Sequence, residues 1–187
     1  MLDKLEKVKI FIIGLFLIFH IIAYYLTKGG SLFKEDLKIT CGKADIMTFL
    51  MWLQKKTYIR NLFYYRIGPR FTFFFQWLLP VDRTLHLYNN CPIGKRCHLE
   101  HSQNTFLNAK CIGEDFYCLH NVTVGNNVYV GRNPRIGNNV KIFTGAVVIG
   151  DIRVGNNVII AANAVVNKDV PDNCMVGGIP AKIIKML

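Results

Sequence analysis

Several common sequence signals are missing from this 187-residue chain. Its six cysteines form no C-x-x-C pair and have no finger-like spacing, which argues against a zinc finger or a disulfide scaffold. The thiols are expected to act as small apolar side chains in a reducing compartment. No nucleic-acid-binding signature is present, so nucleic acid is not an expected partner. The length allows one domain with an appendage, but not two large domains.

Acidic residues are scarce, with 12 Asp and Glu against 23 Lys and Arg, which gives a net charge of +11. In the first half of the chain the basic residues are interleaved with Phe, Tyr, Leu and Ile rather than collected in a polar tail. This pattern favours contact with an anionic membrane surface over contact with nucleic acid.

Residues 10–26 (IFIIGLFLIFHIIAYYL) carry no formal charge and are at the lower length limit for a transmembrane helix. No small-x-small site follows them, so a cleaved signal peptide is not expected. Lys9 and Lys28 flank the run on both sides, and the distribution of positive charge therefore sets no orientation. The run is a candidate membrane helix that either spans the bilayer or dips into it.

Residues 44–80 form a second lipophilic stretch, in which Arg60, Arg66 and Arg70 are mixed with many aromatic residues. This mixture is typical of helices that lie among lipid headgroups. The alternative is packing on the catalytic domain or in a trimer contact. The pair Gly68-Pro69 is expected to divide the stretch into two helices. Residues 1–86 are thus predicted to be a helical, membrane-associating region.

From Leu87 onward the sequence repeats every six residues, and the repeating position is almost always aliphatic. A period of six fits neither a helix nor a single long strand, and fixed self-similarity indicates a solenoid. In that arrangement three hexads close one triangular coil, and the aliphatic residues stack inside it about 4.8 Å apart. Residues 87–187 are therefore predicted to be one repeat domain. The inward positions are Ile112, Cys118, Val124, Val130, Ile136, Ile142, Val148, Val154, Ile160 and Val166.

This repeat resembles the hexapeptide-repeat acyltransferases over about 100 residues. The segments LEHSQNTFLNAKCIG, HNVTVG and VVNKDVPDNCMVGGIPAKIIK look most like the serine acetyltransferase branch and its relatives that acetylate capsule and lipopolysaccharide sugars. The resemblance implies a mainly β fold, namely a left-handed parallel β-helix of about four to five coils. N-terminal membrane-associated α-helices would precede it.

The same resemblance implies a catalytic histidine. In that branch, the histidine of a leucine-acid-histidine triplet takes the proton from the acceptor hydroxyl, and the matching triplet is Leu99-Glu100-His101. An imidazole suits this role because its pKa lies near neutrality. The segment TFLNAKC has seven residues rather than six, so a coil that crosses it takes nineteen. His120 is therefore expected beside His101, where it is a further candidate for a direct catalytic role, and Glu100 is a candidate for orienting the imidazole.

The candidates for acceptor binding are His86, Arg132 and Asn133, and the sequence departs from the serine branch at the first and the last of these. The branch has an orienting aspartate where this chain has His86, and its Arg-His-Pro sequence is Arg132-Asn133-Pro134 here. The long loop before that sequence and the large soluble helical domain of the branch are both expected to be missing. These departures put serine in doubt as the acceptor, but they leave acetyl transfer intact.

The resemblance also implies that acetyl-CoA lies in a groove between two coils of a homotrimer. Thr144 and Ala162 are eighteen residues apart, so they are expected to stack in one column beside the extended cofactor. The closing sequence Gly178–Lys182 is expected to cap the last coil and cover the cofactor end. The candidate cofactor contacts are Thr144, Gly145, Ala161 and Ala162, with Lys168 and Lys182 near the phosphates.

The favoured function is an acetyl-CoA-dependent O-acetyltransferase that modifies a sugar hydroxyl in capsule, exopolysaccharide or lipopolysaccharide synthesis. The acceptor would be a glycan or a lipid-linked sugar, and the enzyme would lie at the cytoplasmic face of the inner membrane. The first alternative is a serine O-acetyltransferase. A second is a metal hydratase like γ-carbonic anhydrase, built on His98, His101 and His120. The paired-histidine spacing of that family is absent, so no metal is expected. The last alternative is a scaffold protein without catalytic activity.

Overall fold

The computed structural model describes residues 4–126 and 132–187 and divides the chain into two compact units, Met1–Val81 and Asp82–Leu187. The predicted boundary between residues 86 and 87 lies inside a strand, Leu85–Leu87, which pairs in parallel with Thr105–Leu107. The division therefore comes five residues earlier than the sequence pattern suggests, because the repeat domain begins with a strand that precedes the first complete hexad.

In its described residues, from Lys4 onward, the first unit forms six helices. Thr27 begins α3 by accepting a hydrogen bond from the amide of Gly30, and Asp45 begins α4 in the same way through Thr48. Gly42 ends α3 in the left-handed conformation that glycine favours. The helices are α1 Lys4–Phe16, α2 Ile18–Leu26, α3 Lys28–Cys41, α4 Ile46–Lys55, α5 Thr57–Ile67 and α6 Pro69–Phe75.

Aromatic side chains fill the interior of the helical unit. The rings of Tyr24 and Phe49 are stacked with centroids 4.1 Å apart, and both are fully buried. Phe33 and Phe63 pack edge to face at 5.2 Å, which joins α3 to α5. These pairs bury large apolar areas in favourable ring geometries, so the unit has a hydrophobic core of its own.

The candidate membrane helix of residues 10–26 is not a single helix. It is interrupted at Leu17, and α1 and α2 meet at an angle of 83°. Within the described residues, no single helix has both the length and the apolar character needed to cross a membrane, although the bent pair meets the criteria when taken together.

The second lipophilic stretch is divided at Gly68-Pro69 as predicted, and again at Lys56, where α4 gives way to α5. Two of its three arginines point inward instead of toward headgroups. The buried Arg60 donates hydrogen bonds to the carbonyl oxygens of Leu53, Gln54 and Pro80. Arg66 forms a buried ion pair with Asp36 at 2.8 Å. Helical periodicity alone does not show which arginines find internal partners.

The second unit consists of short strands arranged in three sheets that are parallel apart from the last strand. Sheet A has the order β1-β3-β6-β9-β12, sheet B has β4-β7-β10, and sheet C has β2-β5-β8-β11-β13-β14. Single bridges at Ile93 and Val170 extend sheet B at both ends. The first six strands are β1 Leu85–Leu87, β2 His98–Leu99, β3 Thr105–Leu107, β4 Cys111–Ile112, β5 Tyr117–Cys118 and β6 Thr123–Gly125. The others are β7 Arg135–Ile136, β8 Lys141–Ile142, β9 Val147–Ile149, β10 Arg153–Val154, β11 Ile159–Ile160, β12 Val165–Val166, β13 Cys174–Gly177 and β14 Lys182–Met186.

This arrangement fits a left-handed parallel β-helix of five triangular coils. The predicted inward residues between Ile112 and Val166 are buried in each of the three sheets. Val130 lies outside the described residues. At the corner between sheets B and C, asparagines in the left-handed region are stacked in successive coils, as Asn139, Asn157 and Asn173. Asparagine tolerates this backbone conformation better than most residues, which lets the chain turn there.

The coil that contains His101 is nineteen residues long, as predicted, but for a different reason. His98 pairs with Tyr117 and Leu99 with Cys118. The chain takes eight residues from Leu99 to the inward Leu107 and then five to Ile112, where regular segments take six. The additional residues therefore lie in the corner that carries His101, and the segment TFLNAKC contains none of them.

The chain ends by reversing direction on the last coil. Strand β14 runs antiparallel to β13, with Lys182 opposite Gly177 and Met186 opposite Cys174. The segment before it is attached to sheet A, because the amide of Ala181 donates to the carbonyl oxygen of Val165 at 2.8 Å. Gly178 and Ala181 of the closing sequence thus bond to the edge of sheet A, and the strand that follows covers the edge of sheet C, so the last coil is capped as predicted.

Candidate active site

The corner that joins sheet C to sheet A contains four of the predicted site residues. The pairing of Cys118 with Ile142 continues to His120 and Thr144, since the amide of Gly145 donates to the carbonyl oxygen of His120 at 3.2 Å. The amide of Asn163 donates to the carbonyl oxygen of Thr144 at 2.9 Å, so Ala162 occupies the next position. The amide of Asn121 donates to the carbonyl oxygen of Gln103 at 3.0 Å, so Gln103 is the first-coil member of this column, and His101 lies two residues before it in the same corner.

The corner at His101 differs from its equivalents in the other coils. His101 and Asn104 both have positive φ angles, 49° and 52°, and two more residues are inserted between the sheets than at the equivalent turn, where Asn121 is left-handed. The side chain of His101 is exposed, while the neighbouring Ser102 is fully buried. A non-glycine residue in this region is under some backbone strain, which is commonly found at functional sites.

Glu100 is held by a residue that the sequence pattern did not identify. The hydroxyl of Tyr117 donates a 2.6 Å hydrogen bond to Oε2 of Glu100, and the ring of His98 packs edge-on against Tyr117 at 5.2 Å. Burial, together with the bond to Glu100, raises the pKa of Tyr117 to about 12. Burial also lowers the pKa of His98, which the Glu100 carboxylate partly offsets. Tyr117 could have been found from sequence, because it follows His98 by nineteen residues and therefore pairs with it on the next coil.

The predicted cofactor contacts are small and lie on or beside the same corner. Gly145 has φ 75°, and a Cβ atom there would collide with Oδ1 of Asn163, so glycine is required for both its conformation and its lack of a side chain. Ala162 is exposed, and Ala161 is half-buried, with its amide bonded to the carbonyl oxygen of Val176. This arrangement leaves a strip of low side-chain volume along the column.

The two predicted phosphate-binding lysines occupy different corners. Lys182 begins β14 opposite Gly177, at the end of sheet C that leads to the corner of Ala162. Lys168 follows β12 at the corner between sheets A and B. Within one chain, Lys182 therefore lies toward the column of small residues, and Lys168 does not. Both lysines are close to the C-terminal end of the repeats in sequence. The corner that each lysine occupies depends on its position relative to the neighbouring strand.

Arg132 and Asn133 also lie at the corner between sheets A and B. Arg132 and Arg135 both pair with Asp151, at 3.2 and 3.1 Å, and the amide of Asn133 donates to Oδ1 of Asn108 at 2.9 Å. Arg132, Asn133 and Arg135 line a cleft of about 620 Å³ together with Asp151. One chain does not bring them to the corner of His101.

His86 lies on the outer side of sheet A, in the first coil. It is in register with Phe106 and stacks on it, with ring centroids 4.4 Å apart and an angle of 14° between the planes. Both side chains are exposed. Phe106 is in the strand that directly follows the His101 corner, so the aromatic pair borders that corner.

No three His, Cys, Asp or Glu side chains are grouped to hold a metal ion in the part of the chain that the structure describes. Of the histidines in the hydratase alternative, His98 lies on the flat face of sheet C against Tyr117, whereas His101 and His120 lie at the corner.

Comparison with known proteins supports an enzyme of the repeat type. Residues 133–168 match the family model "Bacterial transferase hexapeptide (six repeats)". No curated protein matches the sequence. Serine acetyltransferase from Neisseria gonorrhoeae, solved in complex with serine, is 27% identical, with a TM-score of 0.67 over 87% of this chain and 72% of the other. The Brucella abortus enzyme (24%, TM-score 0.67, 83% and 68%) and a serine acetyltransferase solved with CoA (22%, 0.66, 83% and 69%) share the fold.

These similarities also correct one expectation from the sequence. The repeat unit comprises residues 82–187, which is much less than 87% of the chain, so the alignment with the Neisseria enzyme includes part of the helical unit. The helices that precede the coils in serine acetyltransferases are therefore at least partly represented here.

The repeat family and the structural neighbours together define the class of protein: the chain is an acyltransferase. More particularly, the structural neighbours are serine acetyltransferases, and one of them was solved with CoA.

Proposed function

We propose that this enzyme is a serine O-acetyltransferase, in which His101 is the general base. The observation that supports this most directly is the corner between sheets C and A, which carries His101 beside the column of His120, Thr144 and Ala162. Serine as the acceptor is supported by the neighbouring structures, one of which contains serine. This acceptor replaces the sugar hydroxyl that the sequence favoured.

In the proposed reaction, the imidazole of His101 accepts the proton of the serine hydroxyl as the oxygen attacks the thioester carbon of acetyl-CoA. The carbon–sulfur bond then breaks, and the protonated imidazole returns the proton to the leaving thiolate. The products are O-acetylserine and free CoA, and the imidazole is restored. A base with a pKa near neutrality accelerates such a step by about 10²- to 10⁴-fold.

The proposal includes a homotrimer. Arg132, Asn133 and Lys168 lie at the corner between sheets A and B, so they reach a site at the other corner only from a neighbouring subunit. A trimer with the coil axes parallel places unlike corners of adjacent subunits together. In this trimer, a groove between two subunits would bring the cleft residues of one subunit next to the corner that carries His101 and His120 in the other.

A sugar hydroxyl is the second candidate acceptor, and one observation favours it. The stacked rings of His86 and Phe106 form an exposed aromatic surface beside the His101 corner. A surface of this kind packs well against the apolar face of a sugar ring. The position of His86 is also where the serine branch has its orienting aspartate.

The test is a direct competition between acceptor classes. Purified full-length protein is incubated with acetyl-CoA and either L-serine or a panel of free and lipid-linked sugars, and released CoA thiol and acetylated product are both measured. We expect O-acetylserine, and no product from His101→Ala. Product from a sugar alone would replace serine by the second candidate. Binding of acetyl-CoA without transfer to either class would refute both acceptors.

A further inference from the structure

Helices α1 and α2 are apolar on two sides. Ile10, Leu17, Ala23 and Tyr24 face the interior of the helical unit and are buried. Eleven large apolar side chains among the described residues of these helices are exposed, from 44% at Ile22 to 79% at Leu26. A helix that faces water on one side normally carries polar residues there, so this second apolar side indicates another non-aqueous contact. The exposed residues are Leu5, Val8, Ile12, Ile13, Leu15, Phe16, Ile18, Phe19, Ile22, Tyr25 and Leu26.

Helix α6 extends this surface. Phe73 and Phe74 are exposed, as is Trp77, which follows the helix. The rings of Phe19 and Phe75 are stacked with centroids 5.1 Å apart, which places α2 and α6 side by side. We call the exposed apolar residues of α1 and α2, together with Phe73, Phe74 and Trp77, the apolar face.

Positive charge accompanies the apolar face on each helix. Lys9 precedes Ile12 and Ile13 by three and four residues, and Arg70 precedes Phe73 and Phe74 by the same intervals, so each shares a helix side with them. Lys28 follows Leu26 by two residues, at the start of α3. Within the described residues, Lys9, Lys28 and Arg70 form no ion pair. Residues 1–81 contain 12 Lys and Arg and 5 Asp and Glu, so the unit has an excess of seven positive charges.

These charges distinguish between the possible occupants of the apolar face. A second copy of the unit would bring like charges together, which opposes association. An anionic lipid surface attracts Lys and Arg and accepts apolar side chains just below them. Tyr and Trp at the boundary, as at Tyr25 and Trp77, are typical of the interface between lipid and water. The chemistry of the face therefore fits a lipid surface.

The geometry also sets the mode of contact. The longer of the two N-terminal helices has 13 residues, which is about 20 Å, against about 30 Å for the hydrocarbon core of a bilayer. The following helix turns away by 83°. We infer that the helical unit binds an anionic bilayer surface through the apolar face and lies along that surface instead of crossing it. This inference is independent of the acceptor of the acetyl group.

The first experiment measures flotation of full-length protein with vesicles of phosphatidylglycerol and phosphatidylcholine in equal parts. The variant Phe74→Glu/Trp77→Glu places two carboxylates in the apolar face. The matched control is Ile39→Glu, which changes a similarly exposed apolar residue of α3 outside that face. We expect the control to float like the wild type and the double variant to bind at least about tenfold less. Acetyl transfer by both variants to a soluble acceptor confirms that they fold.

Three outcomes would overturn the inference. One is the absence of flotation of the wild type, and another is equal flotation of the double variant and the control. The third is sedimentation without lipid that shows a smaller particle for the double variant alone, because this would assign the apolar face to contact between copies. If the protein binds pure phosphatidylcholine vesicles as strongly as the anionic vesicles, the positive charges do not contribute to membrane binding.

The second experiment locates Trp77 in the membrane. The chain has two tryptophans, so Trp52→Phe leaves Trp77 as the single fluorophore. We expect its emission to shift to the blue when anionic vesicles are added, with the strongest quenching by lipids brominated near the headgroup. Strongest quenching at the bilayer centre would show insertion across the membrane, and an unchanged spectrum would show no contact.

Discussion

The amide of Gly145 donates a hydrogen bond to the carbonyl oxygen of His120 at 3.2 Å. This bond places Thr144 one coil beyond His120 at the same corner, and the bond from Asn163 to Thr144 continues the column to Ala162. A histidine and a strip of small side chains therefore share one line parallel to the coil axis. In the proposed reaction, an extended thioester bound along this line would have its reactive end at His120 and at the neighbouring corner residue His101.

Replacement of His101 by alanine tests the candidate base. We expect His101→Ala to lower kcat by about 10²- to 10⁴-fold, because no other group is proposed to accept the hydroxyl proton. His120→Ala should have a smaller effect, since His120 is assigned no proton transfer. Release of CoA thiol measures both rates.

The matched control is His98→Gln, which replaces a histidine on the flat face of sheet C. This variant should keep a rate close to that of the wild type. A larger loss in His120→Ala than in His101→Ala would move the base to His120.

A bulky side chain at Ala162 tests the cofactor strip. Ala162 is exposed, so a larger side chain at this position points into solvent and leaves the packed interior unchanged. We expect Ala162→Tyr to raise the KM for acetyl-CoA by about tenfold or more, equivalent to about 1.4 kcal/mol of binding. The control is Arg153→Tyr, an exposed position on sheet B, across the coil from that corner. Equal KM values for the two variants would place the cofactor elsewhere.

The inward rungs could be predicted from sequence because their period of six is independent of how the corners turn. The position of the added residues in the coil of His101 could not be predicted in this way. The length of that coil, nineteen residues, is the sum of one corner that is longer than usual and another that is shorter. Lys168 and Lys182 are both near the C-terminus, and only the residue count after each strand separates their corners. Arg66 looked like a headgroup ligand because its partner Asp36 is distant in sequence. Arg60 did so because its partners are backbone carbonyl groups, which the pattern of side chains does not reveal.

Removal of one inward side chain tests the stacked interior. Ile142 is fully buried between Cys118 and Ile160 of the neighbouring coils. We expect Ile142→Ala to lower the free energy of unfolding by about 2–5 kcal/mol, because it removes apolar contacts and leaves a cavity. Lys141→Ala, one residue earlier and exposed, should change it by less than about 0.5 kcal/mol. Urea unfolding followed by circular dichroism measures both. Similar values for the two would mean that Ile142 does not line a packed interior.

Acid sensitivity of the helical unit is predicted from His20, which is fully buried in α2. Its Nε2 lies 2.9 Å from the hydroxyl of Tyr64, and that hydroxyl donates to the carbonyl oxygen of Phe75, so Nε2–H of a neutral ring is the donor. Nδ1 has no hydrogen-bond partner within the described residues. Burial, with a smaller effect of the Arg60 charge, lowers the pKa of His20 from 6.5 to about 4.

This shift makes unfolding easier as the pH falls. Below pH 6.5 the unfolded chain binds a proton at His20, whereas the folded chain does not bind it until about pH 4. The free energy of unfolding should therefore decrease between these two values, by about 3 kcal/mol in total from this group, and the decrease should level off at lower pH. His20→Leu keeps an apolar side chain in the site and removes the titration, so its stability should depend less on pH by that amount. Urea unfolding of both proteins from pH 7 to pH 4 measures the difference. Parallel curves would show that His20 is accessible to protons in the folded protein.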